Sequence, residues 1–404
     1  MNARVLNIGQ NYRMTGGSDR YMFQLEALLS GAGIDVIPFA AAHPDNAPTE
    51  WNRHFPPTVN FNAPSSRDLA RYIYNGAARQ HLDELLHDHN ISLAHLHIYY
   101  GQLSGSILKP LRDRGIPIIQ TLHEYKLICP TYSLFADGKV CEDCGSGQFY
   151  RAIAKRCNRG SLARSSLSAI EAYVSRLLGA ESAVDHFVAV SDFLRDKIIE
   201  HGIAPEKITT VHNFIDATQI EPSHQRGDYV LYLGRLERIK GIATLLDAIE
   251  PLTDVPLVIA GDGNDRDLVR AAEARLGKTR VDWRGFVGGR ELGELIRNAR
   301  FLVAPSEWYE TFGLILIEAF AHGRTVISSR MGGMTEVVDD GIDGLLFEAG
   351  NVDALRSAIL DLWTAPATTI AMGAAGREKV LARFSPQAHL QQILGVYHKV
   401  GMAA

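Results

Sequence analysis

Short apolar runs alternate with longer amphipathic stretches through this chain, and the whole alternation occurs twice. In the first half, residues 5–8, 35–39, 93–98, 116–122 and 186–190 read as strands, with 69–90 and 194–201 helical between them. Strands alternating with helices predict a parallel sheet covered on both faces. After a polar, proline-containing stretch at 218–228 the pattern restarts. Strands are expected at 229–233, 257–260, 281–285, 301–304 and 325–328, again with helices between. A chain of 404 residues exceeds one ordinary core. The repeat therefore predicts an α/β protein of two doubly wound, Rossmann-like domains facing a cleft, residues 1–217 and 218–385. Residues 386–400 read as a separate amphipathic helix, and the segment 386–404 is expected to pack back on the first domain.

The net charge of −5 gives no reason to expect nucleic-acid binding. No run approaches the roughly 18 apolar residues of a membrane span. The N-terminus enters a strand directly, without an apolar signal region and cleavage site. The expected location is cytoplasmic, with the inner face of the membrane as an option.

The densest local signal is 306–318, Ser-Glu-Trp-Tyr-Glu-Thr-Phe-Gly-Leu-Ile-Leu-Ile-Glu. A buried strand stops at Pro305, a polar loop follows, and an apolar helix pattern begins at Gly313 and Leu314. Unpaired amides and the helix dipole at such a start can hold an anion. Glu310 and Glu318 are eight residues apart, about 12 Å if helical. That is too far to share a proton but suits gripping the two ends of a ligand with an anionic middle, as a nucleotide sugar is. For Glu318 the plainer reading is an acid placed near a helix start. In the segment 229–241 the strand ends at Gly234, which puts Arg235 and Lys240 in the loop at its carboxyl end. There two cations could neutralise a departing diphosphate. A solvated basic loop is the alternative.

Gly-Arg-Leu-x-x-x-Lys-Gly followed by Glu-x7-Glu resembles the retaining glycosyltransferases of family 4, which have the GT-B fold. Gly16 and Gly17 after the first strand resemble the family's N-terminal glycine loop. Thr121-Leu122-His123-Glu124 resembles its His-Asp segment, with Glu for the usual Asp. The segment 211–216 resembles its Asn-Gly-Val-Asp segment, with Phe214 for the glycine. Gly261-Asp262-Gly263 and Gly285-Phe286-Val287 follow in the family's order. The resemblance implies a role for each. Arg235 and Lys240 hold the diphosphate, and Gly313 and Leu314 offer amides. Glu318 accepts from the ribose and Glu310 from the donor sugar. Phe286 and Val287 lie along the base, and His123 reaches the sugar from the opposite domain. Gly16 and Gly17 let the backbone approach the diphosphate. A histidine satisfied at a strand end is the bland reading of His123.

The implied reaction moves a sugar from a UDP- or GDP-sugar to a hydroxyl of a glycan or lipid-linked acceptor, with retained configuration, in surface polysaccharide or glycolipid synthesis. No carboxylate suggests itself as a covalent nucleophile, which favours the same-face route. Asp265-Arg266-Asp267 superficially matches a metal site, but it sits at a helix start, where acids are ordinary. No catalytic metal is expected. A sugar-nucleotide 2-epimerase and an inert nucleotide-sugar-binding scaffold are the rival readings.

All four cysteines, Cys129, Cys141, Cys144 and Cys157, fall in one insert, 129–157, and the middle pair forms Cys-x2-Cys. That spacing suits a structural zinc. Disulfides and free thiols remain open, with a cytoplasmic setting against the former. Some transferases of the resembled family carry a similar insert. Arg151, Lys155, Arg156, Arg159, Arg164 and Arg176 then interleave with apolar residues. This pattern suggests contact with an anionic membrane or a diphosphate-linked lipid, or else a solvated helix face.

Overall fold

A computed structural model of the chain describes residues 3–402. Residues 1–2 and 403–404, the outer ends of the expected first and last segments, lie outside the described residues. The chain forms two compact units. One comprises the residues up to Asp137, Cys141–Val211 and the stretch from Leu390; the other comprises Gly138–Val140 and His212–His389. The sequence reading sets the boundary at 217/218; the units divide between Val211 and His212.

The strands of the first unit are β1 (Arg4–Ile8), β2 (Asp35–Phe39), β3 (Leu93–Leu96), β4 (Ile118–Leu122) and β5 (Phe135–Ala136), then, after β6 (Lys139–Val140), which is grouped with the second unit, β7 (His186–Ala189) and β8 (Ile208–Thr210). The main sheet is parallel, in the order β2-β1-β3-β4-β7-β8. β3, β4 and β7 are buried along their whole length, as strands covered on both faces must be. The interior is nonetheless not purely apolar. Asn7, His95, Gln120, Thr121 and His186 sit within these strands and are all buried, so each requires a hydrogen-bond partner.

Residues 69–90, expected as one helix, form two, Ser66–Ile73 and Gly76–Asp88. The break is tertiary in origin. Asn75 is buried, its amide Nδ2 donates to the Gln102 carbonyl at 2.7 Å, and its backbone N–H donates to Ser104 Oγ at 2.9 Å. Its Oδ1 then caps the second helix by accepting from the Ala78 N–H. Helical periodicity cannot report such an anchor.

The second unit has β9 (Val230–Leu233), β10 (Leu257–Ala260), β11 (Val281–Gly285), β12 (Phe301–Ala304), β13 (Val326–Ser329) and β14 (Gly344–Phe347) in the parallel order β11-β10-β9-β12-β13-β14. The chain lays β10 and β11 on one side of β9, then returns to lay β12 on the other. The strand order therefore switches between β9 and β12, and the carboxyl ends of the strands at such a switch point are where these sheets bind ligands. β8 and β14, at the outer edges of their sheets, are the two main-sheet strands that the apolar pattern does not announce.

Glycines let the loops at this edge touch backbone to backbone. A Cβ on Gly261 would run into the Gly234 carbonyl, one on Gly263 into that of Leu236, and one on Gly332 into that of Glu310. Gly241 is the most constrained. It is left-handed (φ 69°), closes the turn Arg238–Lys240 and opens the helix Ile242–Ile249. Its Cα faces the Pro305 carbonyl so closely that any Cβ would collide with it. Gly241→Ala should cost at least about 2 kcal/mol, from left-handed strain plus backbone displacement. That would lower the unfolding temperature by about 4–8 °C in calorimetry. Gly277→Ala is the control, because its φ is 88° with nothing within 4 Å of the new Cβ. It should cost less, and equal losses would show that the close approach to Pro305 is not needed.

Candidate active site

Each unit carries its candidate residues at the carboxyl edge of its own sheet. In the second unit the loops after β9 and β12 interlock. The Glu307 N–H donates to the Ile239 carbonyl at 2.8 Å, and Thr244 Oγ1 donates to Glu307 Oε1 at 2.5 Å. The Gly333 N–H donates to the Glu310 carbonyl at 2.8 Å, and Ser329 Oγ donates to the Ser306 carbonyl at 2.5 Å. This frame brings Lys240 Nζ to 2.6 Å from Glu310 Oε1, and Ser306 Oγ donates to the same oxygen at 2.6 Å. The ammonium also lies 5.0 Å from the centre of the Trp308 ring, close enough for a cation–π contact. Burial would raise the Glu310 pKa. The charge of Lys240 and the hydrogen bonds from Lys240 and Ser306 outweigh it, and the carboxyl is held below its ordinary value.

Arg235, the second expected cation, is placed differently. It is 61% exposed and bonds Glu237 at 3.1 Å. Gly313 is left-handed (φ 100°) and starts the helix Leu314–Ala321 with no side-chain cap, so the first turn keeps backbone N–H groups that no cap side chain satisfies. Glu318 lies buried on that helix. Phe286 follows Gly285 at the end of β11 and is 86% exposed, a large aromatic face left in water. Val287 beside it is half-buried. Gly234, Gly261 and Gly263 are the loop-to-loop contacts described above, so their first role is to build the edge. Asp265 and Asp267 fall at the start of the helix Arg266–Leu276, where Asp267 lies 3.6 Å from Arg270.

In the first unit, Gly16 precedes the helix Gly17–Gly31 in extended conformation, without a side-chain cap. His123 follows β4. Its Nε2 lies 3.2 Å from His97 Nδ1, and Tyr21 packs edge-on with ring centres 4.9 Å apart. Burial pushes the His123 pKa down to about 3, so the ring is neutral near pH 7. Glu124 is pushed up to about 7 by burial and by Glu171, against the pull of Lys126. Sequence reasoning missed Ser306, Trp308, His97 and Asn7. The His-x-His of 95–97 and an asparagine inside an apolar strand were the available signals.

The four cysteines share one neighbourhood without closing on a common point. Cys129 Sγ is 3.4 Å from Thr131 Oγ1, and Lys155 Nζ donates to Cys141 Sγ at 3.5 Å. Cys144 packs with Phe149, Ala152, Ala169 and Ala172, and Cys157 joins that cluster. Burial, with the other three thiols, pushes the Cys144 pKa up to about 12. Tetrahedral zinc needs sulfurs about 3.8 Å apart, whereas no three of these lie within 4.8 Å of one another. The thiols are unpaired by disulfides. No helix among the described residues is long and apolar enough to cross a membrane.

The family model described as Glycosyltransferase Family 4 matches residues 15–219, and that of Glycosyl transferases group 1 matches residues 227–365. Alpha-maltose-1-phosphate synthase of Mycolicibacterium smegmatis is 28% identical over 342 residues, 76% of this chain and 79% of that protein. Phosphatidyl-myo-inositol mannosyltransferase of Mycobacterium leprae is 26% identical over 399 residues, 96% of this chain and 95% of that one. Among solved structures, sucrose-phosphate synthase from Thermosynechococcus elongatus superposes with a TM-score of 0.73 at 20% identity over the whole of both chains. Anabaena HepE in complex with UDP-glucose gives 0.64 at 18% identity, over 98% of this chain and 99% of that one. With both units matched and two parallel Rossmann-like sheets of the GT-B type, the chain belongs to Glycosyltransferase Family 4.

Proposed function

We propose that this glycosyltransferase is a retaining enzyme that takes its sugar from a nucleotide diphosphate. The observation that carries this reading is the Lys240–Glu310 pair, locked over Trp308 at the crossover of the second sheet. It sets a fixed cation beside a carboxylate next to an uncapped helix start. Lys240 and Arg235 stabilise the leaving diphosphate, and the amides at Gly313 and Leu314 add to them. Glu310 accepts from a sugar hydroxyl, Glu318 from the ribose, and Phe286 with Val287 supports the base. The bond from the anomeric carbon to the phosphate oxygen breaks, and the acceptor oxygen bonds that carbon on the same face. The acceptor's proton passes to the departing phosphate. UDP is the first nucleotide to test, because HepE is described with UDP-glucose.

The test is a transfer assay with UDP- and GDP-sugars, the donor being chosen by thermal shift, since a bound donor stabilises the fold. Lys240→Ala and Arg235→Ala should each lower turnover by about 10²–10³, and turnover should survive EDTA. A sugar nucleotide altered without any acceptor would favour an epimerase. Wild-type turnover in Lys240→Ala would remove that residue from the clamp.

We further propose a lipid-linked acceptor met at an anionic membrane. The helix Leu162–Leu177 is turned inside out. It buries Ser165, Ser168, Ala169, Glu171, Ala172 and Ser175 and exposes Leu162, Ile170, Tyr173 and Leu177. Arg151, Arg156, Arg159 and Arg164 are exposed beside it. Large apolar side chains in water beside a band of arginines fit a phospholipid surface. Vesicles with phosphatidylglycerol should co-sediment the protein, vesicles of phosphatidylcholine alone should not, and Leu162→Asp with Leu177→Asp should release it. Equal sedimentation of the variant would overturn the assignment.

We also propose one structural zinc on the four cysteines, with the side chains rotating to close the set, because buried thiols become good ligands only once a cation lowers their pKa. Elemental analysis should find about one zinc per chain, and Cys141→Ser should lower the unfolding temperature. Four titratable thiols and no zinc would end this proposal.

A further inference from the structure

His123 stands on a chain of buried polar side chains whose hydrogen-bond polarity can be read from its far end. Asn7 lies in β1 and is fully buried. Its Nδ2 faces the Met22 carbonyl at 3.4 Å, and its side chain also hydrogen-bonds the Glu26 carboxylate. Both partners only accept, so Nδ2 is on that side and Oδ1 points the other way. Asn7 Oδ1 lies 2.7 Å from His97 Nε2. An amide oxygen only accepts, so His97 Nε2 carries a hydrogen. His97 is deeply buried and stacks on His95 with ring centres 4.5 Å apart. Burial, with His95 and His123 beside it, pulls its pKa well below the ordinary value. A neutral His97 with hydrogen on Nε2 has a lone pair on Nδ1, and that atom faces His123 Nε2 at 3.2 Å. His123 Nε2 must then donate.

We propose that Asn7 and His97 are positioning residues that hold His123 as its Nε2–H tautomer, so that the ring presents Nδ1 as a hydrogen-bond acceptor. A neutral ring of this polarity takes a proton from a hydroxyl and cannot give one to a phosphate. This rests on the reading that His123 meets the donor sugar, and it selects a sugar hydroxyl as the group met. The same polarity argument excludes His123 as a cationic partner of the diphosphate. The surrounding groups agree. His95 is bound at Nε2 by Thr121 Oγ1 (2.7 Å) and at Nδ1 by the Tyr397 hydroxyl (2.8 Å). Tyr21 packs edge-on against both His97 and His123. Glu26, the one carboxylate at the far end of the chain, is reached only through Asn7 and accepts from the Tyr12 hydroxyl at 2.9 Å.

Long-range proton–nitrogen correlation spectra of protein labelled with ¹⁵N-histidine read the tautomers directly, with His123 assigned through its loss in His123→Asn. His123 and His97 should both appear as neutral Nε2–H forms, unchanged between pH 5.5 and 8. Asn7→Leu should turn His123 into a mixture of tautomers. It should also lower kcat about tenfold, the worth of one misdirected hydrogen bond, while leaving the affinity for the nucleoside diphosphate unchanged. His97→Asn, which keeps an acceptor near the place of Nδ1, should retain the His123 tautomer, and His97→Leu should not. An Nδ1–H or doubly protonated His123 in the wild-type spectrum overturns the proposal, and needs no variant to fold. The same holds if all variants keep the wild-type tautomer. A correct tautomer with full turnover in His123→Ala would instead leave the proposal standing and refute the contact with the sugar.

Discussion

Parallel strands covered on both faces leave their chain little room for polar chemistry except at the edge where the strands end, and this molecule follows from that constraint. In each sheet the first strand laid down, β1 or β9, receives neighbours on both sides, so the strand order switches beside it, the place where such sheets bind ligands. The second unit then needs rigid loops at this edge. It obtains them from glycine. Gly234, Gly241, Gly261, Gly263 and Gly332 permit backbone contacts that any Cβ would prevent, or adopt dihedral angles that other residues resist. The side chains carried by these loops are therefore set by main-chain geometry together with the buried Leu236, Trp308 and Phe312.

The Lys240–Glu310 pair shows what that rigidity is for. Half-buried ion pairs contribute little net stability, because removing both charges from water offsets most of their attraction. This pair has further partners: Ser306 on the carboxylate and Trp308 under the ammonium. The consequence for pH follows from the lowered carboxyl pKa of Glu310. Its contribution is present above the ordinary carboxylate pKa and is lost as the pH falls through the folded-state value. At neutral pH the pair carries no net charge, and the ammonium is held in one orientation by the carboxylate and the ring. Arg235, exposed and paired among the described residues with Glu237, represents the opposite arrangement: a charge kept in water.

Much of this was visible in the order of residues. The alternation of apolar runs located ten of the twelve main-sheet strands, and the two it missed, β8 and β14, are edge strands of three and four residues. Gly313 at a helix start and Arg235 and Lys240 after a strand were legible because glycine, proline and apolar periodicity are local signals. The break at Asn75 was not, because its cause lies in Gln102 and Ser104, far away in sequence. The contact between Lys240 and Glu310 joins loops seventy residues apart, and no spacing rule reveals it. The chain from Asn7 through His97 to His123 was hidden for the same reason: it runs across three adjacent strands, and each member looks alone like a histidine or asparagine satisfied in a core.

The first unit treats buried charge differently from the second. Lys126 and Glu171 face each other at 2.5 Å with 6% and 1% of their side chains exposed, and Glu124, next to His123 in the chain, lies in their field. Two carboxyls thus compete for one ammonium. Lys126 sides with Glu171, with which it forms the short pair, and Glu124 is left to burial and to the repulsion of Glu171. Its folded-state pKa, pushed up to about 7, exceeds its ordinary value. The folded protein therefore holds this proton more tightly than the unfolded chain. The associated stability is complete below the ordinary glutamate pKa and declines as the pH rises through 7. Around neutrality the residue beside His123 is thus poised between acid and carboxylate, while His123 itself stays neutral. A shorter aspartate, the residue more usual here by resemblance, would draw its carboxyl one methylene closer to the backbone and alter its distance from Glu171. The glutamate at this position therefore changes the charge next to His123 without altering the histidine itself.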